Sequence, residues 1–509
     1  MSKLLHHAFE SSCARLPGKT ALVCGDNRLS YARLAQQVAT LARLLRARGV
    51  APGDRVVLYL DSSIEFAVGV HAVLAAGAVF VPVSPLTRAD KLAYMLGDTQ
   101  ATALLTDHRL AATWRDALAR APSVATCVST GCAQSDGIVL PWPAAESSLA
   151  RAEGSLPTTA SDLAAIIYTS GTTGVPKGVM LSHRNMLSAW DSVQSYLQLR
   201  ESDVIGLALS PSFSYGLYHV LMGLGLGATV VLERAVAFPT RIVETLARER
   251  VSVFPGVPTL YSSLLGLASL GAHDLSALRI LTNAAAALPE EHVRRLRSLL
   301  PQAALFSMYG MTECKRISFL PPEQAALRPG SVGRGMPRQE HWLEDAQGRR
   351  LPDGATGELV VRGPHVMQGY WNKPAETAER LKPAPDGQGL ALHTGDIFRT
   401  DEQGWLYFVA RADDIIKSRG EKVAPREVEN AIYGLEGVLD CAVTGVPDEQ
   451  LGQAVRAFVV RKPGARLTER DVVRHCLATL ESYMAPKRVV FMDELPRTDS
   501  GKIRKLDLR

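Results

Sequence analysis

Short apolar runs alternate with longer stretches of helical periodicity over most of this chain. Arg55 to Leu60 reads as a buried strand, Ile64 to about Ala76 as a helix, Val79 to Val83 as a strand, Arg88 to Leu96 as a helix and Ala101 to Thr106 as a strand. A second series places strands at Val204–Leu209, Ala228–Leu232, Val251–Phe254, Arg279–Leu281 and Leu305–Met308. Helices at Leu217–Leu224, Thr240–Arg248, Thr259–Leu267 and Pro289–Leu299 fall between them. Alternation of this kind specifies parallel sheets with helices packed on their faces. Residues 20 to 30 add two short strands across a Gly-Asp-Asn turn, and Tyr31 to Arg48 a helix ending at Gly49.

The fold expected is α/β: a large N-terminal domain of two doubly wound subdomains, with a small β-rich subdomain and a small α+β C-terminal domain. Gly131 to Ser161 is small and polar and reads as a surface connection. Beyond Arg328, Gly, Pro and short alternating strands such as Gly357–Arg362 mark the β-rich piece. The boundary is placed at 412/413, giving domains 1–412 and 413–509.

With 509 residues and 47% hydrophobic content, the chain has ample material for several cores. The net charge of +5 is scattered among both signs, which excludes a nucleic-acid stripe. The seven cysteines form no CxxC pair and no zinc spacing, so reduced thiols in a cytoplasmic, soluble protein are expected. No apolar run reads as a membrane span.

Tyr168-Thr169-Ser170-Gly171-Thr172-Thr173-Gly174-Val-Pro-Lys177 follows the apolar run Leu163–Ile167. Glycines permit the turn, hydroxyls and backbone N–H groups can nest an anion, and Lys177 adds charge. The spacing fits neither GxxxxGK[ST] nor GxGxxG. The loop suits a phosphate, against the alternative of a plain surface turn. Tyr309-Gly310-Met311-Thr312-Glu313 follows a strand, where α/β proteins bind ligands. There a threonine hydroxyl can take a phosphate oxygen and a carboxylate can take Mg²⁺.

The first string resembles the phosphate-loop signature of the adenylate-forming superfamily: acyl-CoA synthetases, peptide-synthetase adenylation domains and firefly-type luciferases. Four further strings resemble motifs of that superfamily, in its order. They are Tyr309–Glu313, Thr394-Gly395-Asp396, Arg411 to Pro425, and Pro496 to Arg504, in which the closing arginine comes one residue early. The resemblance implies a triphosphate on the loop of Thr169 to Lys177 and Mg²⁺ on Glu313. Ribose falls to Asp396 and Arg411, Lys417 contacts AMP, and Tyr309, with Met308 and Gly310, lies at the adenine. Ala284, Ala285 and Ala286 flank that ring where the family is usually richer in glycine. Asp413 becomes the hinge, and Arg419 and Gly420 face a pantetheine arm. Lys502, with Thr312 and Glu313, becomes catalytic.

The implied activity is ATP-dependent conversion of a carboxylic acid to an acyl-adenylate, then transfer to a thiol. The thiol is coenzyme A or the phosphopantetheine of a carrier protein. A luciferase-type oxygenase and a catalytically inactive binding protein on the same fold are the other readings, and a homodimer is left open. The acyl pocket falls on Ser214, Tyr215, Tyr218, His219, Val257 and Met311, with core packing as the alternative for each. Ser214 stands where amino-acid adenylating domains usually place an aspartate, so an acid without an α-amine is expected. Lys315 and Arg316 are expected on a solvated helix face, with pairing to a second substrate carboxylate as the alternative.

Overall fold

The structure, a computed structural model, describes residues 4–144, 157–169, 175–234, 238–285, 288–418, 421–448, 451–498 and 502–508, with the backbone alone at 413, 417, 422, 452 and 506. Two large sheets carry most of the chain. The first orders its strands Gly369–Tyr370, Lys177–Ser182, Leu163–Thr169, Val79–Val83, Arg55–Tyr59, Ala103–Asp107, Thr126–Thr130 and Val139–Pro141. It is parallel except at the end where Leu163–Thr169 folds back on Lys177–Ser182.

The second sheet is parallel from Thr20–Cys24 through Thr229–Leu232, Val204–Leu207, Val253–Gly256 and Ile280–Asn283 to Ala304–Tyr309. It then turns antiparallel through Ser318–Leu320 and Ser331–Gly335 into Leu406–Arg411, Leu390–Thr400, Thr356–Arg362 and Glu340–Glu344. The β-rich piece is therefore joined to the parallel layer through one shared strand, Ser331–Gly335. The first strand of the chain also sits in this second sheet, pairing Leu22 with Val230. Tyr31 anchors the crossing by donating from its buried hydroxyl to the Ala228 carbonyl at 2.6 Å.

Helices fill the space between the sheets. Phe66 to Leu74 is buried without a break, which explains why helix Ile64–Ala75 shows no polar face: both of its sides meet apolar layers. Ser63 caps it by accepting from Phe66 N at 3.2 Å. The stretch after Gly131 is not wholly irregular, since Val139–Pro141 pairs in parallel with Thr126–Thr130.

The C-terminal piece is a separate five-stranded sheet, with Gly452–Arg461 at its centre, Val438–Asp448 antiparallel on one side and Arg488–Met492 parallel on the other. Its own core gathers Val428, Ile432, Val443, Val459 and Val472 under helices Pro425–Tyr433 and Glu469–Thr479. Among the described residues, no helix is long and apolar enough to cross a membrane. All seven cysteines are free thiols, six of them buried.

Candidate active site

The phosphate-loop string lies between two strands that pair antiparallel. Thr169 ends one strand and Lys177 opens the next, and the two are cross-strand partners. Ser170 to Gly174 lie outside the described residues. The Lys177 ammonium stands 5.5 Å from the Tyr370 ring centroid. Tyr370 donates its hydroxyl to Glu313 Oε1 at 2.8 Å. Glu313 is buried, and its carbonyl accepts from Met367 N at 2.7 Å. One aromatic residue thus spans the loop lysine and the carboxylate.

Beyond strand Ala304–Tyr309 the chain turns through Glu313 and returns as the antiparallel strand Ser318–Leu320. Gly310 is required by close approach: a Cβ there would lie 2.5 Å from the Lys315 carbonyl oxygen. Thr312 is half-buried in this turn. The Tyr309 hydroxyl donates to Asp396 Oδ2 at 2.5 Å. Its ring meets Phe398 edge-on, centroids 4.7 Å apart. The Thr394 hydroxyl donates to the Leu359 carbonyl at 2.7 Å and accepts from Asp396 N at 3.1 Å, which fixes the carboxylate's backbone. Asp396 and Arg411 face each other across neighbouring strands, with Arg411 Nε 3.5 Å from Asp396 Oδ1. Burial raises the Asp396 pKa, opposed by Arg411, the Tyr309 hydrogen bond and Lys502.

Lys502 comes to the same place from the C-terminal domain. A short hairpin holds it: Thr498 N donates to the Lys502 carbonyl at 2.7 Å, Arg504 N to the Pro496 carbonyl at 2.8 Å, and Arg497 bridges to Ile503. Lys502 keeps solvent access, yet protein charges surround it. Desolvation and the Arg411 guanidinium push its pKa below the usual lysine value, while Glu313 and Asp396 pull it back. The structure therefore gathers Tyr309, Glu313, Asp396, Arg411 and Lys502 from four separated stretches.

Of the adenine-side residues, Ala284 is buried, Met308 is buried with the Tyr196 hydroxyl 3.2 Å from its sulfur, and Ala286 lies outside the described residues. Ala285 adopts φ +74°. Alanine thus takes the left-handed conformation that its lack of glycine freedom had put in question, at a cost of roughly 1–2 kcal/mol. Asp413 falls in the turn Ala412–Asp414 and Lys417 in strand Ile416–Ser418; their side chains, and Arg419 and Gly420 altogether, lie outside the described residues.

At the acyl side, Ser214 begins helix Ser214–Leu226. The Tyr215 hydroxyl lies 2.6 Å from Thr282 Oγ1, and Tyr218 and His219 are buried. His219 Nδ1 donates to the Tyr215 carbonyl at 2.8 Å; burial, with Lys315 adding to it, lowers its pKa to about 3, so the ring is neutral. Val257 caps helix Pro258–Leu265, and Met311 is partly buried against the main core.

Lys315 and Arg316 correct an expectation. They belong to a turn, not a helix, and both are buried. Lys315 is in the left-handed region at φ +63°. Its ammonium donates to the Ser214 carbonyl at 2.9 Å and lies 4.2 Å from the Tyr218 ring centroid. The turn forced by Gly310 points the pair inward.

The AMP-binding enzyme family matches residues 9–371, and the C-terminal domain of the AMP-binding enzyme matches residues 427–502. The chain belongs to the AMP-binding enzyme family. It is 36% identical over 498 residues to a feruloyl-CoA synthase of Amycolatopsis sp, covering 97% of this chain and 96% of that one. It is 31% identical over 546 residues to a long-chain-fatty-acid–CoA ligase of Bacillus subtilis (strain 168), covering 99% and 93%. The crystal structure of the anthranilate CoA ligase AuaEII in complex with anthranoyl-AMP superposes with a TM-score of 0.90 at 25% identity, covering 100% and 97% of the two chains. As a member of this family the chain is an AMP-forming acid–thiol ligase.

Two residues of this AMP-binding enzyme's site were missed in the sequence. Tyr370 couples Glu313 to Lys177, and its only sequence signal is the Gly369-Tyr370-Trp371 cluster. Tyr196, beside Met308 and Arg316, sits on helix His183–Leu197, whose ordinary amphipathic pattern gives no hint of it.

Proposed function

We propose that the chain activates a carboxylic acid without an α-amine on Mg-ATP and passes the acyl group to the thiol of coenzyme A. The observation that carries this reading is the approach of Lys502, from one domain, to Glu313, Asp396 and Arg411 on the other. In the first half-reaction the acid's carboxylate attacks the α-phosphate in line and pyrophosphate leaves. Little covalent help is needed; positioning and charge neutralisation supply the catalysis. Lys502 meets the negative charge shared by the carboxylate and the α-phosphate. Thr172, Thr173, Gly174 and Lys177 hold the β- and γ-phosphates. Asp396 accepts from the ribose hydroxyls, with Arg411 beside it.

Glu313 fits a Mg²⁺ ligand, being a hard carboxylate oxygen donor whose orientation Tyr370 fixes. Bound there, Mg²⁺ would neutralise phosphate charge. In the second half-reaction the thiol sulfur attacks the acyl carbon, the bond from that carbon to the AMP oxygen breaks, and AMP leaves with the thiol proton released to solvent. Lys502 then has no task, and the C-terminal domain turns about Asp413 to bring Arg419 and Gly420 to the pantetheine arm. Free thiols throughout the chain suit a reducing cytoplasm.

The test is ATP–pyrophosphate exchange over a library of carboxylic acids, followed by thioester formation with free coenzyme A and with a panel of carrier proteins. Acid-dependent exchange with thioester formed on coenzyme A is the expected result. Thioester on a carrier protein alone would move the acceptor to phosphopantetheine, and no exchange with any acid would end the reading.

A further inference from the structure

Lys315 and Arg316 are consecutive cations with 4% and 3% of their surface exposed. Among the described residues, neither has a carboxylate within ion-pair distance; the charge felt by Lys315 is that of Arg316. Arg316 Nε is buried without a hydrogen-bond partner, and so is His219 Nε2 beside the pair. The guanidinium carbon lies 5.0 Å from the Tyr215 ring centroid, and the ammonium 4.2 Å from that of Tyr218. Both tyrosines lie near the start of helix Ser214–Leu226, which borders the acyl side. Two cations buried together without a counter-ion are a strong liability unless something anionic joins them.

A purely structural role explains only half of this. Lys315 ties down the start of helix Ser214–Leu226 through the Ser214 carbonyl. Arg316 has no such anchoring role, and its guanidinium keeps its proton. At least that positive charge is left to balance, and among the described residues its Nε hydrogen has no acceptor.

We propose that the acid activated here is a dicarboxylate, one carboxylate reacting at the α-phosphate and the other pairing with Arg316 and Lys315. This rests on the adenylation reading above and adds the substrate class to it. After adenylation consumes the charge of the first carboxylate, the second supplies a negative charge that the pair lacks. The planar fork of arginine suits a carboxylate, and the tyrosine rings on either side exclude water from the contact. The same two cations repel an α-ammonium group, in accord with serine at position 214.

The experiment is ATP–pyrophosphate exchange with α,ω-diacids from malonate to suberate and with the benzenedicarboxylates. Each is compared with its own half-amide, which keeps the shape and removes the distal charge. Arg316→Met and Lys315→Met are run in parallel, with melting curves to establish that they fold. Wild-type protein should favour at least one diacid over its half-amide by about 100-fold in kcat/KM, and Arg316→Met should bring that ratio to about 3 or less. Half-amides or simple monoacids used as well as every diacid, or a ratio unchanged in folded Arg316→Met, overturn the dicarboxylate while leaving adenylation intact. Exchange with none of these acids, nor with any monoacid of the wider library, overturns both readings.

Discussion

Tyr309 gives its phenolic hydrogen to Asp396 at 2.5 Å, and the bond joins the last residue of a parallel strand to an antiparallel strand of the same sheet. The carboxylate is thereby held in place, with Arg411 Nε 3.5 Å away on its other side. Asp396→Asn keeps the shape and loses the charge. Hydrogen bonds to a charged acceptor are worth about 1.5–3 kcal/mol, so KM for ATP should rise roughly 10- to 100-fold. An unaltered KM in the Asp396→Asn enzyme would remove Asp396 from the nucleotide.

Lys502→Ala should separate the two half-reactions. Loss of the ammonium should lower pyrophosphate exchange by about 1,000-fold or more. Thioester formation from supplied acyl-adenylate should be nearly untouched. Equal loss of both steps would mean that the domain does not alternate between them.

The pH dependence should carry the same residue's signature. Desolvation and Arg411 depress the Lys502 pKa, so the ammonium is lost at lower pH than in a free lysine. Activity that needs the charged form is full below that pKa and falls as pH rises through it. The adenylation rate should therefore decline on its alkaline side before ordinary lysines titrate, and transfer from supplied acyl-adenylate should show no such limb. A pH–rate profile of each half-reaction measures this directly; a shared limb would argue against Lys502 as its source.

Tyr370→Phe removes the donor to a buried carboxylate. An unsatisfied buried acceptor costs about 1–3 kcal/mol, so the melting temperature should drop by a few degrees. With Glu313 no longer oriented, the Mg²⁺ concentration at half-maximal exchange should rise about 10-fold. An unchanged Mg²⁺ titration would detach Glu313 from the metal.

Gly310→Ala tests the turn that drives Lys315 and Arg316 inward. The added carbon would meet the Lys315 carbonyl oxygen at 2.5 Å, backbone that yields little. A loss of about 1–3 kcal/mol in denaturant unfolding is expected. Wild-type stability would show that the turn can open.

Most of the fold could be read in the residues because its periodicities are local. The runs at Arg55, Val79 and Val204 announced their strands, and Ser63 and Ser182 cap helices as their types suggest. Which strands share a sheet could not be read, since pairing of Leu22 with Val230 is settled by burial over two hundred residues of chain. In the site, the charged and hydroxylated motifs were visible as strings. The inward turn of Lys315 and Arg316 was not, because local patterning treats adjacent charges as solvated. Only the approach of the Lys315 backbone to Gly310 reveals it. Tyr370 was hidden for a similar reason: an aromatic residue on a two-residue strand looks like packing until its hydroxyl is traced to Glu313.

The shared strand Ser331–Gly335 has a consequence for timing. It joins Asp396 and Arg411, the groups proposed to face the sugar, to the same sheet as Tyr309, whereas Lys502 belongs to the separate C-terminal piece. Under the proposed mechanism, withdrawal of that piece would leave the adenosine half of the intermediate gripped and uncover only the phosphate half. A mixed anhydride prone to hydrolysis would then wait for its thiol without drifting away.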